Sequence, residues 1–419
     1  MTTDLAWQLL CTALVLFMTP GLAFFYGGLV KSKSVVSMMM LSFGSLGLIT
    51  LLWVLYGFSG IGTISESGIT NFFGNPFQDF GLTSAFSDLV TEFDDGTPVE
   101  ESTNFFGGLA FGGSFAIITV ALISGSIADR AKFWPWLLFA GIWATVVYFP
   151  GQAWVWALNA DGDYIGWIGK WGALDWAGGT IVHQAAGAAA LALALVLGQR
   201  KVGFSKEETA AHNVPLVLIG TAILWFGWFG FNTGVPGTTQ GQTTLIFLNT
   251  LIAPAAGLIG WIIVEKFKDG KSTAVGAASG VVAGLVAITP ACAHIAPVWA
   301  ILLGLLVGVV CCLAVELKWK LGFDDTLDVV GIHLVAGFIG CIYLGFFAQV
   351  GGTGLFFGGG FDQLIKQLGS SLAVIAFAFI VAYVVGMAIE KTIGFRAKEE
   401  DEVAGIDLAI HEPGYQEVG

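Results

Sequence analysis

The sequence predicts an all-α membrane protein of eleven transmembrane helices, and three observations carry that expectation. Hydrophobic residues make up 56% of the 419 positions, charged residues only 11%, and the mean hydropathy is +0.81. A water-soluble chain of this length needs far more charge to cover its surface. The apolar residues fall in long runs, and about 20 such residues cross a hydrocarbon core. Threading those runs through a membrane also sorts the basic residues almost entirely to one side.

In chain order the expected spans are 5–28, 35–59, 105–128, 135–157, 176–198, 213–235, 243–264, 274–292, 297–315, 329–348 and 369–389. The first run is kept as a span because MTTDLAWQLL has no basic region ahead of it, so no cleaved signal peptide is expected. The run 274–292 is the shortest and is rich in Gly and Ala. With the N-terminus outside, fifteen of the 17 Lys and Arg residues, from Lys31 to Lys398, fall on the cytoplasmic side, leaving Lys170 and Lys366 outside. An error in span count would scramble that separation from the error onward, so the basic residues favour an odd count, N-out and C-in.

This threading gives one membrane domain, 1–390, in the cytoplasmic (inner) membrane, and a cytoplasmic tail, 391–419. The loop 60–104 then lies outside and carries Glu66, Asp79, Asp88, Glu92, Asp94, Asp95, Glu100 and Glu101, a large part of the acidity behind the net charge of −13. Trp7, Trp134, Trp136, Trp154, Trp156 and Trp171 stand near span ends, as in an interfacial aromatic belt. The 59 glycines, many inside spans, predict close helix packing. Cys11, Cys292, Cys311, Cys312 and Cys341 form no CxxC pair, which argues against a thiolate metal site and against a disulfide framework.

Ionisable residues inside spans are costly in lipid and point to function. His183 lies in the fifth run and His333 in the tenth. Each has an aspartate eight residues before it, Asp175 and Asp325, and a glycine four residues after it, Gly187 and Gly337. Five spans separate the copies, so they run in opposite directions, as in an inverted repeat of spans 1–5 and 6–10 with an eleventh helix appended. Eight residues of helix rise about 12 Å and half the hydrocarbon core is about 15 Å, which brings both imidazoles toward the midplane. A lone membrane histidine is as readily a helix-to-helix hydrogen bond, but two in matched positions favour a shared lining. Two neutral rings can share one N–H···N bond and turn their other nitrogens to a lumen that accepts a small polar molecule or relays a proton. No Cys, Asp, Glu or third His shares a span with either ring, which disfavours a metal. Asp175 reads as a cap for the fifth span or as a carboxylate stabilising a cation, and the two are compatible; Asp328 reads as a further cap or hydrogen-bonding group.

The motifs around these histidines resemble the ammonium transporter, methylammonium permease and Rhesus family, on its Amt branch. The run DWAGGTIVHQAAGAAALALALVLGQR from Asp175 is similar to the family signature throughout. CTALVLFMTPGLAFFYGGLVKSKS from Cys11, FGGSFAIITVALISGSIADR from Phe111, GTAILWFGWFGFNTG from Gly220, ITPACA from Ile288 and DDTLDVVGIH from Asp324 match in family order. The resemblance implies an outer vestibule that holds ammonium by cation–π contact with Trp156, though Trp154 is two residues away, together with Phe111 and the carboxylate of Asp175. It implies a gate of stacked rings, Phe115 and Phe231, and a pore lined by His183 and His333 and flanked by Trp228. Val235 stands where many Amt members carry a serine that hydrogen-bonds the ion, so Thr238 or Thr239 are candidates to replace it. The tail GFRAKEEDEVAGIDLAIHEPGY from Gly394 is similar to a segment that, in the family, links subunits of a homotrimer and answers to PII signalling proteins, with Glu412-Pro413-Gly414 departing from the usual ending.

The function implied is recruitment of ammonium, its deprotonation at the gate, and conduction of ammonia past the histidines, with the proton on a coupled route. Methylammonium is a second expected substrate. No cofactor and no nucleic-acid partner is implied. A passive channel for ammonia or carbon dioxide is the first alternative and an ammonium sensor the second. The 29 residues of tail are too few for a catalytic signalling domain. An enzyme is disfavoured because no span carries a nucleophile–base pair.

Overall fold

A computed structural model describes residues 3–62, 64, 72–94, 103–159, 161–202, 204–205 and 210–415. Among the described residues, ten helices are long and apolar enough to cross a membrane. They are α1 (Asp4–Leu29), α2 (Ser32–Gly60), α3 (Phe105–Ile127), α4 (Phe133–Trp156), α5 (Gly179–Leu197), α6 (Val214–Thr233), α7 (Gln240–Asp269), α9 (Pro297–Leu321), α10 (Val330–Phe347) and α11 (Asp362–Thr392). Between α7 and α9 lies α8 (Ala274–Ile288), apolar but only 15 residues long. Among the described residues no strand forms, and the chain is all-helical.

The helices match the apolar runs, with two instructive differences. Helix α5 starts at Gly179 and not at 176, because residues 176–178 bend into a turn that ends on Gly178 at φ +111°, a conformation that favours glycine. Helices α7 and α11 run to 30 and 31 residues, beyond the apolar window, because their ends continue as polar helix. Helix α8 can be short because it meets protein on all sides. A Cβ added at its Gly280 would stand 2.7 Å from the Gly257 carbonyl oxygen of α7, so these backbones are in contact.

The two halves are threaded through each other. Helix α1 packs along α6, its counterpart in the second half, and α5 crosses α10 at the centre. Gly187 of α5 comes so close to α10 that an added Cβ would lie 2.5 Å from the Leu334 nitrogen. Reciprocally, a Cβ on Gly337 of α10 would lie 2.9 Å from the Gly179 oxygen and 3.1 Å from the His183 Cβ. The glycine four residues past each histidine is therefore where the other half passes.

One end of the bundle is held together by basic residues. Arg200 pairs with Asp324 (2.8 Å) and Asp129 (3.1 Å), and Arg130, fully buried, donates to the carbonyl of Asp324 and to the Thr326 hydroxyl. Lys31 reaches the Val202 carbonyl, Lys318 reaches Asp328, and Lys268 reaches Glu316. The tail docks on the same end. Phe395 and Ala397 pair in backbone with Lys132 and Arg130, Arg396 forms a double contact with Glu402, and Glu402 also accepts from the Lys201 amide. Asp407 accepts from the amides of Val36 and Ser37 at the start of α2. Lys206, Glu66, Asp95, Glu100 and Glu101 lie outside the described residues.

The aromatic belt needs correction. Trp134 and Trp171 are exposed and Trp7 half-buried, but Trp136 and Trp154 are interior. Trp136 donates to the Leu41 carbonyl and Trp154 to the Phe72 carbonyl, so each indole N–H is engaged by backbone inside the protein and not by the membrane interface. Trp156 is half-buried and faces a cavity, described next.

Candidate functional site

Both histidines sit on π-helical turns. His183 belongs to Gly179–Gln184 at the start of α5, and His333 to Val330–Leu334 at the start of α10. A π-turn widens the helix by one residue and is frequent at functional sites. Each turn is capped by the aspartate of its half. Asp325 accepts from the amides of Val329 (3.1 Å) and Val330 (2.7 Å). Asp175 accepts from the amides of Gly178 (2.9 Å), Gly179 (2.6 Å) and Thr180 (2.8 Å), and from the Thr180 hydroxyl. The same motif thus starts both helices, and the inverted halves bring the two rings face to face.

The Nδ1 atoms of His183 and His333 are 3.2 Å apart, with ring planes 24° from parallel. At that distance one Nδ1 donates and the other accepts, so the rings are opposite tautomers. Trp228 stacks on His183 with centroids 5.4 Å apart, and its indole is fixed by a 2.8 Å hydrogen bond to Thr289. The Nε2 of His183 is buried without a partner among the described residues. Both histidines line a narrow lumen whose other walls include Leu22, Phe25, Ile118 and Val282. The space open to a water-sized sphere there is about 10 Å³. One water needs about 10–15 Å³ by that measure, so the lumen has room for a single small molecule and none for a hydrated ion.

Above the lumen, Phe115 and Phe231 stack with centroids 4.0 Å apart and planes 17° from parallel. Phe231 also leans on Trp228 and His183, so ring pair and histidine pair form one column. Beyond the stacked rings opens a vestibule of about 490 Å³, walled by Phe111, Phe115, Trp156, Trp176, Gln152, Tyr164, Val235 and Thr238 among others. Phe111 and Trp156 both adjoin Phe115, at 4.9 and 6.1 Å.

The structure brings Phe111, Phe115, Trp156, Phe231, Trp228, His183 and His333 into this column. Asp175 joins it indirectly: its carboxylate is turned to the start of α5, while its backbone carbonyl receives the Trp156 indole N–H at 2.9 Å. Of the two tryptophans near residue 155, only Trp156 faces the vestibule; Trp154 packs on Phe377 and Trp167. Thr238 is on the vestibule wall, and Thr239 caps α7 through the Gln242 amide. Sequence reasoning missed Gln152, which is four residues before Trp156 on α4 and therefore on the same face.

Residues 6–415 match the model of the Ammonium Transporter Family. The chain belongs to that family. An ammonium transporter of Mycobacterium tuberculosis is 47% identical over 98% of this chain and 90% of its own length, and one of Bacillus subtilis is 40% identical over 99% and 98%. Among solved structures, Mep2 of Candida albicans is 31% identical, with a TM-score of 0.82 over 95% of this chain and 87% of that one. A protein described as a Sensor Amt Protein superposes with a TM-score of 0.86 at 25% identity, over 97% of both chains.

Proposed function

We propose that this chain transports ammonium by taking it up as the cation and passing it through the lumen as neutral ammonia. The observation that carries the proposal is the histidine pair, 3.2 Å apart across a lumen with space for about one water-sized molecule. Ammonium enters the vestibule and rests against the faces of Trp156 and Phe111, where aromatic quadrupoles attract a cation within about 6 Å. Asp175 holds Trp156 through its carbonyl, and its carboxylate adds negative charge behind that wall. At the Phe115/Phe231 stack the ion must shed either its water or its proton. Desolvating a charge in an apolar bore is prohibitive, so the proton is given up to water in the vestibule and ammonia proceeds alone, while the proton crosses by a coupled route of its own and gives the transport its net charge. Potassium has the same charge and no proton to lose, and is refused.

In the cell the chain is read as eleven spans in the cytoplasmic membrane, vestibule and N-terminus outside, with the membrane unit 1–390 and the tail 391–419 within the cytoplasm. The clustering of Arg130, Arg200, Lys318 and the tail at one end supports that orientation. By resemblance the working unit is a homotrimer, with the docked tail open to a PII-type regulator.

The test is solid-supported-membrane electrophysiology and methylammonium uptake in proteoliposomes, comparing the parent with His183→Ala/His333→Ala. The parent should give an ammonium current and no potassium current, and the double variant should lose rate or selectivity. Unchanged uptake, selectivity and current would remove the histidines from the mechanism. No ammonium-elicited current from the parent would favour passive passage of gas.

A further inference from the structure

The vestibule wall holds one polar side chain that the chain itself leaves without a partner. Gln152 lies on α4 one turn deeper than Trp156, facing the same cavity. Its Oε1 is buried and makes no hydrogen bond among the described residues. Its Nε2 lies over Gly112, where an added Cβ would stand 3.1 Å away, so the amide sits at the level of Gly112, between Phe111 and Phe115 on the facing helix. Buried amides in proteins are nearly always hydrogen-bonded, and an orphan beside a ligand cavity points to a ligand that completes it. The two ends of a carboxamide exchange by a half-turn about its last torsion, which swings the oxygen toward the cavity without moving the backbone.

Two other side chains on this wall can accept, the Tyr164 hydroxyl and the Gln242 carboxamide, but Tyr164 is half exposed and Gln242 belongs to the first turn of α7. Val235 is apolar, the Trp156 indole is a donor already engaged by Asp175, and the Thr238 hydroxyl is paired with Thr243 at 2.9 Å. Aromatic faces attract a cation but accept N–H bonds weakly. An ammonium ion that has exchanged part of its water shell for the wall just above the gate therefore needs a directional acceptor there. We propose that the Gln152 carboxamide oxygen is that acceptor, making Gln152 an affinity- and specificity-determining residue of the vestibule floor. The inference rests on the vestibule reading above. A hydrogen bond to a fixed point on the wall favours ions with N–H donors, ammonium over methylammonium and both over fully methylated ammonium.

Three variants in proteoliposomes test it. Gln152→Met keeps length and bulk without a strong acceptor, and should raise the half-saturating ammonium concentration about tenfold with the maximal current changed less than twofold. Gln152→Glu places a carboxylate at the same point. It should lower that concentration and let potassium compete, a gain that damaged folding would not produce. Trp156→Leu tests the cavity itself. Half-saturation within twofold of the parent in both Gln152 variants, with Trp156→Leu impaired, would overturn the role of Gln152 and leave the vestibule standing. No effect in any of the three would overturn the vestibule reading as well.

Discussion

Gly187→Ala is the smallest perturbation that separates the two halves of the lumen. The added methyl carbon would stand 2.5 Å from the Leu334 nitrogen, 2.6 Å from its Cβ and 2.8 Å from its Cα. Backbone cannot swing aside as a flexible side chain can. Relief to ordinary contact therefore requires α5 and α10 to part by about 1 Å, and overpacking of this kind costs roughly 1–3 kcal/mol. Leu334 is the residue after His333, so the movement acts on the histidine pair directly. Its 3.2 Å contact would pass beyond hydrogen-bond range, adding roughly 0.6–1.7 kcal/mol, the range measured for such bonds within membranes. Together the expected loss is about 2–5 kcal/mol, read as a lower unfolding temperature of the purified protein in detergent and a severalfold smaller ammonium current. Gly337→Ala should be milder, because its nearest atoms are 2.9 and 3.1 Å away. Gly47→Ala, with nothing within 4 Å, should be neutral. If all three variants melt and conduct alike, close approach of the halves is not what holds the pair together.

Asp324→Asn takes from the buried Arg130 and Arg200 the carboxylate they share, leaving Arg200 its contact to Asp129, and should destabilise the protein by about 3–5 kcal/mol in chemical or thermal unfolding. Burial alone would raise the Asp324 carboxyl, but Arg130 and Arg200 together hold it below the ordinary carboxylate value. Its stabilising contribution is therefore complete above the unfolded value of about 4 and is lost as pH falls through the lower folded value, so the parent should lose stability there and Asp324→Asn should not. Phe231→Ala removes half of the 4.0 Å ring stack and should admit water to the lumen; a potassium current in proteoliposomes is the expected sign, and continued exclusion of potassium would refute the gate. Glu402→Gln weakens the contacts to Arg396 and Lys201 that dock the tail, and limited proteolysis should then cut between residues 393 and 415 faster than in the parent.

What could be read in advance follows from the kind of signal each feature leaves. Spans were legible because the bilayer demands about 20 apolar residues in a row, a constraint written in composition. The inverted arrangement was legible because Asp175, His183 and Gly187 repeat the spacing of Asp325, His333 and Gly337. The π-turns were not, since one extra residue within a helical hydrogen-bond ring changes no composition. Yet a π-turn rotates everything after it by about 100° relative to a regular helix. The π-turn Ala144–Tyr148 in α4 sets which way Gln152, Trp154 and Trp156 point, which explains why Trp154 and Trp156 could not be told apart from position alone. Trp136 looked like a membrane anchor because it lies at a span end; its burial depends on the Leu41 carbonyl of another helix, a tertiary fact. Gln152 could have been suspected from its place one turn before Trp156, but its lack of a partner is visible only in three dimensions.

The two aspartates also bear on how selection is made. A cation channel commonly lines its pore with carboxylates or carbonyls that replace lost water. Here Asp175 and Asp325 are each occupied by backbone amides at the start of a helix, and the lumen between them is walled by apolar side chains and two imidazoles. Carboxyl groups therefore stand behind the walls at both ends and are missing from the walls between. In the reading proposed above, a cation drawn to the vestibule is offered no such ligand farther in. In the proposed mechanism that discontinuity, together with a bore for about one water, separates the charge from the molecule. Widening the bore or placing a carboxylate on its wall should each convert the lumen toward a cation path, by solvation in the first case and by direct ligation in the second.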